Sequence, residues 1–250
     1  MSNDATVLRD FYASPLGLVT ARLVGGRLAA LTPDLKGCTV LGLGYAAPYL
    51  NYLRFSNGRA PARVLAFMPG SCGVHPWPAT GRNAAALVEE TSLPLPDASV
   101  DLVVMTHFLE HCDNLKAVLR EVWRVLVDGG RLIAVTPNRG GPWTYYERTP
   151  FGHGRPYSKG QLDRLLRGNL FTPCRSSAAL FLPPQQSAVG LYMMTALDNI
   201  GWRWWRRFGG VVMCEAEKRV YALNGPQTEP KRARALAAPA GSSFSASNGS

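Results

Sequence analysis

The chain has 250 residues, 46% of them hydrophobic and 18% charged, with a formal net charge of +10. That size and balance suit one α/β domain with a substantial core plus a tail. No apolar run reaches the roughly 18 residues that span a bilayer, and the start, MSNDATVLRD, lacks a signal-peptide pattern. Five scattered cysteines (38, 72, 112, 174 and 214) form no C-x-x-C pair, so a reducing, cytoplasmic setting is expected. The positive charge is dispersed apart from Arg203, Arg206 and Arg207, and no nucleic-acid-binding motif accompanies it. Nucleic acid is therefore not an expected partner.

Over residues 6–31, Leu8, Phe11, Tyr12, Leu16, Val19 and Leu23 recur at helical intervals, and Pro15 and Gly17 predict two helices. Gly25-Gly26 and Pro33 predict a break before the sheet begins. Thr39–Leu43 reads as a strand, Tyr49–Phe55 as a helix and Arg63–Met68 as a second strand ended by Pro69-Gly70. Residues 69–81 form a loop by composition. Val100–Thr106 is a near-continuous apolar run, the pattern of a strand buried on both faces. Asn114–Leu126 has helix spacing, Gly129-Gly130 is expected to stop that helix, and Arg131–Thr136 reads as the next strand.

Further on, Ser158 to Gln161 fits a capping box opening a helix through Leu166. Met193, Leu197, Ile200, Trp204 and Phe208 mark another amphipathic helix, and Val211–Cys214 with Arg219–Leu223 reads as a hairpin or one interrupted strand. Residues 225–250 are low-complexity and expected to be disordered. The alternation of strand and helix predicts an α/β fold, with an open, mostly parallel sheet and helices on both faces.

Three segments carry a family resemblance: Leu93-Pro94-Leu95-Pro96-Asp97-Ala98-Ser99-Val100-Asp101, Phe108-Leu109-Glu110-His111, and Arg124-Val125-Leu126-Val127-Asp128-Gly129-Gly130. In this order and spacing they resemble the LPF-x-D-x-S-F-D, V-L-E-H and R-V-L-K-P-G-G segments of class I S-adenosylmethionine (SAM)-dependent methyltransferases of the type 11-like group. The resemblance implies a Rossmann-like, doubly wound, seven-stranded sheet. It divides the chain into a helical segment (1–36) packing on the core, a methyltransferase-like domain (37–224) and a tail (225–250).

The resemblance also implies that SAM is the cofactor, approached by the loop at Gly42, Gly44 and Tyr45. Met68 would close the second strand, Glu89 would stand near the adenine amine, and Thr106 would end the fourth strand. The chain departs from the family here. Gly42 stands at the acidic position, Ala46 and Pro48 replace two loop glycines, and Phe67-Met68-Pro69 carries no carboxylate for the ribose. Each lost charged hydrogen bond would cost about 1.5–3 kcal/mol. Two functions stay open: a SAM-dependent methyltransferase acting on an unidentified small-molecule or lipid-like substrate, or a catalytically impaired binding or regulatory subunit of a protein complex. For the second, the resemblance suggests a metallohydrolase partner.

Methyl transfer needs an aligned nucleophile and often a base, and open α/β sheets bind ligands beyond the carboxyl ends of their strands. His107 and His111 follow the fourth strand and are the catalytic candidates, against the alternative of a cleft-wall and a helix-start residue. Asn138 and Arg139 follow the fifth strand. His153, Arg155 and Tyr157 lie on the loop PFGHGRPYS, which is either a substrate wall or a Gly/Pro turn. His107 to His111 also spells H-x-x-E-H, but no third ligand is identifiable, so no metal is expected. Trp202, Trp204 and Trp205, interleaved with arginine, suit either a helix docking on the sheet or a contact surface. A protein partner is the preferred functional reading, with peripheral membrane contact beside it.

Overall fold

The computed structural model describes residues 4–32, 34–54 and 60–219. In chain order they form α1 (Ala5–Ala13), α2 (Pro15–Leu31), β1 (Thr39–Gly44), α3 (Ala47–Arg54), β2 (Arg63–Pro69), β3 (Ala85–Val88) and β4 (Val100–Thr106). Then come α4 (Leu115–Val125), β5 (Leu126–Pro137), α5 (Lys159–Arg167), β6 (Phe171–Ala179), α6 (Ala188–Trp204) and β7 (Val211–Lys218). The seven strands make one sheet in the order β3-β2-β1-β4-β5-β7-β6. The first five positions are parallel, and β7 runs antiparallel to both β5 and β6. The chain order reverses between β1 and β4, which places the ligand crevice of such a sheet beyond their carboxyl ends.

The N-terminal region divides as its sequence suggests. Asp4 caps α1 through its side chain, and Ser14 caps α2, its hydroxyl accepting from Gly17 N at 3.0 Å, with Pro15 at the first helical position. The expected break at Gly25-Gly26 does not occur, and α2 runs on to Leu31. The reason is close packing: a Cβ on Gly25 would lie 2.3 Å from the Tyr52 ring of α3. That glycine serves helix-to-helix approach, which outweighs its intrinsic cost in a helix. Pro33 lies outside the described residues.

On the other face, Asn114 caps α4, and Val118, Leu119, Val122 and Val125 bury its apolar stripe. The helix ends at Val125, and β5 already begins at Leu126, so Gly129-Gly130 lies within an extended segment and does not form the helix stop. Gly129 adopts φ 72 there. The capping box at Ser158 and Gln161 is present. The strands β3 and β6 carry no pattern distinct enough to be named from sequence. Of the segment read as a hairpin or one interrupted strand, Val211–Lys218 forms one strand paired with β5 and β6, and residues from 220 onward lie outside the described residues.

The antiparallel edge is held by buried charge. Glu215 is fully buried on β7 and pairs with Arg131 of β5 and with Arg175 of β6. Arg175 also donates to the Leu31 carbonyl at the end of α2. Asp198, buried on α6, does the same for that helix. It pairs with Arg27 of α2 at 3.2 Å and accepts from Leu180 N at 2.9 Å, where the backbone turns at φ 66. Removing one partner of a buried pair typically costs 3–5 kcal/mol. Asp198→Ala is expected to lower unfolding stability by about 3 kcal/mol. Chemical denaturation checks this, and a loss under about 1 kcal/mol would mean that the pair does not seat α6.

Candidate active site at the carboxyl ends of the strands

β1 and β4 end side by side, and the turns that leave them are locally constrained. Gly44 adopts φ 82, and a Cβ there would lie 2.4 Å from the Thr106 carbonyl, to which Tyr45 N donates at 3.0 Å. His107 follows at φ 51, an uncommon conformation for a residue other than glycine. This turn carries the imidazole into the protein, where it is buried with 2% of its surface exposed.

Around His107 lies a chain of polar groups. Tyr12 of α1 contacts His107 Nε2 through its hydroxyl at 2.6 Å and shares a hydrogen bond with the Tyr49 hydroxyl of α3. On the other side, His107 Nδ1 stands 3.6 Å from Glu110 Oε1. Both Glu110 carboxyl oxygens are buried without a hydrogen-bond partner. A carboxyl group so placed is costly unless a charge or proton faces it, and His107 is the facing group. Burial pushes the Tyr12, Tyr45 and Tyr49 phenols well above their ordinary range, so all three stay protonated at neutral pH.

Two cavities open near this cluster, and Tyr12 lines one of them. One, of about 750 Å³, lies among α1, α2 and α3, with Tyr12, Pro48 and Tyr52 in its lining, and is completed by Tyr45, His75 and Trp77 from the loops after β1 and β2. Across it, Tyr45 stacks on Tyr12 at 5.8 Å, and its hydroxyl meets His75 Nε2 at 3.0 Å. The second, of about 680 Å³, is lined by Val7, Phe11, Leu16, Tyr146, Arg148 and Pro184 and is mainly apolar. Phe11 and His107 both pack on Phe151, at 6.3 and 5.0 Å.

The structure gathers some expected site residues and separates others. Gly44, Tyr45, Thr106 and His107 meet at the switch point, with Thr106 Oγ1 buried and without a hydrogen-bond partner. Gly42 lies under that loop, and the space a side chain would need is taken by Ala46 and Leu50. Met68 is fully buried in the core, and Glu89 is exposed, accepting from the Thr91 hydroxyl at 2.8 Å. The segment from His107 to His111 is a turn, so its two histidines do not share a helix face. Among the described residues no group of three His, Cys, Asp or Glu is placed to hold a metal ion. His111 is half-buried, which pulls its pKa below the ordinary value and favours the neutral ring.

The loop candidates are held mainly by structural bonds. Asn138 is buried and donates to the carbonyls of Arg207 and Gly209 at 2.9 and 2.7 Å. Arg139 is exposed, and its backbone N donates to Tyr157 O. His153 Nε2 meets the Glu147 carbonyl at 2.7 Å, and Arg155 N donates to Glu110 O at 2.8 Å. Tyr157 is half-buried, with its phenol raised by burial and by Glu110. Sequence reasoning missed Tyr12, Tyr49, His75 and Glu110 as site residues. Tyr12 reads as an ordinary apolar-stripe residue and Tyr49 as the start of a helix, and only the fold brings their hydroxyls together.

Residues 25–134 match the methyltransferase domain family. A probable S-adenosylmethionine-dependent methyltransferase of Mycolicibacterium smegmatis is 41% identical over 76 residues, covering 30% of this chain and 29% of that protein. One of Mycobacterium tuberculosis is 51% identical over 47 residues, covering 19% of this chain and 17% of that protein. The chain thus matches under a third of the length of these relatives. Among solved structures, a chain of the complex between the Haloferax volcanii Trm112 methyltransferase activator and a methyltransferase superposes with TM-score 0.59. It is 16% identical and covers 86% of this chain and 97% of its own. A SAM-dependent methyltransferase from Archaeoglobus fulgidus gives TM-score 0.54 at 18% identity, covering 79% and 94%. At these identities the likeness shows the fold.

SAM is the cofactor of this family, and the strand ends fit it with partly different groups. Gly44 keeps the left-handed backbone, and Thr106 Oγ1 is an orphaned polar atom at the crevice. In place of a carboxylate after β2, the Tyr45 hydroxyl and His75 supply polar atoms at the wall of the larger cavity. Tyr12→Phe would deprive both Tyr49 and His107 of a buried partner. The expected loss is about 1–3 kcal/mol of stability, read by chemical denaturation. No loss would mean that the chain of hydrogen bonds is dispensable to the fold.

Proposed function

We propose that this chain, whose residues 25–134 match the methyltransferase domain family, transfers a methyl group from SAM to a hydroxyl or amino group of a small-molecule or lipid-like acceptor. The observation that carries this reading is Tyr12, which lines the cavity beside the β1 loop and also contacts His107, itself backed by Glu110. In this reading the cofactor supplies an electrophilic methyl group. The backbone at Gly44 and Tyr45 and the polar pair Tyr45–His75 hold it, while Trp77 offers an aromatic face. The acceptor lies toward the second cavity, whose lining of Val7, Phe11 and Leu16 favours an apolar body.

Hydroxyl and ammonium groups must shed a proton to become methylated products, and a positioned base speeds that step by about 10²–10⁴-fold. The proton would pass to Tyr12 as Tyr12 hands its own to His107 Nε2, and Glu110 would hold the resulting imidazolium through Nδ1. Burial of this chain excludes water from the proton path. Among the residues singled out from sequence, His111 stands as an alternative base, kept neutral by its surroundings. Glu89, Met68, Asn138, Arg139, His153, Arg155 and Tyr157 take supporting places at the rim and in the packing.

A second reading has one observation in its favour: Tyr45 is buried and stacked on Tyr12 over the loop where the family keeps its glycines. On that reading the chain is a catalytically impaired binding or regulatory subunit. The described surface offers nothing specific to a metallohydrolase partner.

Isothermal titration with SAM and S-adenosylhomocysteine separates the two readings. Binding is expected, weakened about tenfold by His75→Ala through loss of a hydrogen bond in the cavity. Folded protein giving no heat at millimolar ligand would favour the second reading. For the proton path, Glu110→Gln is expected to slow S-adenosylhomocysteine release by about 10²-fold or more with phenol, alcohol or amine acceptors. SAM affinity should stay unchanged. Equal rates in Glu110→Gln and the parent chain would remove the base from the mechanism.

A further inference from the structure

The helix α6 is apolar on the side that faces water. Val189, Tyr192, Met193, Ile200 and Trp204 are 74, 72, 41, 46 and 71% exposed. From Ala188 through Trp202 the one charged residue is Asp198, which is buried, so the outer face bears no charge over four turns. A surface helix of a water-soluble domain ordinarily carries charged and polar residues there. The face continues into Trp205 and Phe208, 58 and 61% exposed, and ends among the exposed Arg203, Arg206 and Arg207.

This orientation is built in. The inward face of α6 holds Met194, Asp198 and Gly201. A Cβ on Gly201 would lie 2.4 Å from the Phe181 ring, and Asp198 is tied to Arg27 and Leu180. The helix cannot roll to bury Trp204 without breaking those contacts. Trp202 is engaged differently, with Arg27 and Arg206 over its ring at 4.8 and 4.2 Å.

We infer that α6 docks the protein on an anionic lipid surface, with Val189, Tyr192, Ile200 and Trp204 entering the interfacial layer and Arg203 and Arg207 meeting lipid headgroups. An uncharged face bounded by tryptophan and arginine is the chemistry of interfacial helices. The charge complementarity is one-sided: the rim is cationic, the chain carries +10, and no acidic side chain is exposed on α6 or its 3-10 extension. An anionic membrane matches that rim along its whole length. No helix among the described residues is long and apolar enough to cross a membrane, so the contact is peripheral. The inference is independent of methyl transfer, although Pro184, shortly before α6, lines the apolar cavity.

The test is flotation of the full chain with vesicles of phosphatidylcholine alone or with 30% phosphatidylglycerol. Binding is expected on the mixed vesicles, with a blue-shifted tryptophan emission and release by raised salt. Trp204→Glu with Ile200→Glu should cut the bound fraction tenfold or more, and Arg203→Glu with Arg207→Glu several-fold. Both variants should keep the parent circular dichroism and melting temperature, since these side chains point outward. Absent binding, or equal binding to neutral and mixed vesicles, would overturn the inference. So would a self-association seen by sedimentation and dissolved by Trp204→Glu without vesicle binding, which would assign the face to a second copy. Binding abolished by neutralising Lys231, Arg232 and Arg234, and untouched by the α6 variants, would place the contact elsewhere on the chain.

Discussion

The Tyr12 hydroxyl is where the first helix, the third helix and the central strand of this molecule are tied to one another. It meets Tyr49 of α3 and His107 just beyond β4, and its ring stacks on Tyr45 after β1. All of these groups are buried. A buried hydroxyl without a partner costs as much as a good hydrogen bond yields, so each member constrains the others. His107 lies between the Tyr12 hydroxyl and Glu110, on backbone at φ 51. That places the seat of α1 over the sheet and the geometry of the candidate base under one set of contacts. The Tyr12 side chain also lines the cavity beside the β1 loop, so the wall of that cavity depends on the packing that holds the N-terminal segment down.

The sheet was legible in the sequence wherever the burial was symmetrical. Val100–Thr106 and the stripe of α4 announced themselves because residues with both faces covered, or one face strongly covered, must be apolar at the matching period. Local hydrogen bonding was legible too: the Ser158–Gln161 box depends on neighbours in sequence alone. What escaped depended on distant partners. Gly25-Gly26 suggests a break by composition, yet Tyr52, reached only after the chain has laid down β1, turns Gly25 into a packing residue. The strand β6 carries charged and polar residues because its arginine pairs with Glu215 of β7, so its pattern lacks the alternation of a simple half-buried strand.

The site shows the same division. The candidate location follows from the architecture, since strand ends at a switch point bind ligands in such sheets, and His107 follows directly from the end of β4. The polar cluster around His107 was not legible, because Tyr12, Tyr49 and Glu110 are drawn from three separate stretches of chain and none has a spacing that marks it. Glu110 is part of a segment that reads as family pattern, which conceals its burial against His107. The altered loop is also clearer in space. Gly42 opens no extra room for a cofactor, because Ala46 and Leu50 already occupy the volume that a side chain there would fill. Ala46 and Leu50 thus close beneath the loop, while the Tyr45 hydroxyl meets His75 Nε2 beside it at 3.0 Å.

Periodicity carries a further limit that α6 makes concrete. Met193, Leu197, Ile200, Trp204 and Phe208 have the spacing of an amphipathic stripe, which suits either a helix docking its tryptophans on the sheet or a contact surface. In the fold most of that stripe faces out, with Leu197 at its edge, while Met194, Asp198 and Gly201 face in. A 3.6-residue period says that a helix has a face, and it does not say which face meets the protein. Here the inward choice is made by two particular residues: a carboxylate that satisfies Arg27 and the Leu180 amide, and a glycine that admits the Phe181 ring. Those contacts are specific in geometry, and the apolar stripe is not. The specific set wins the interior and leaves the non-specific set on the exposed face.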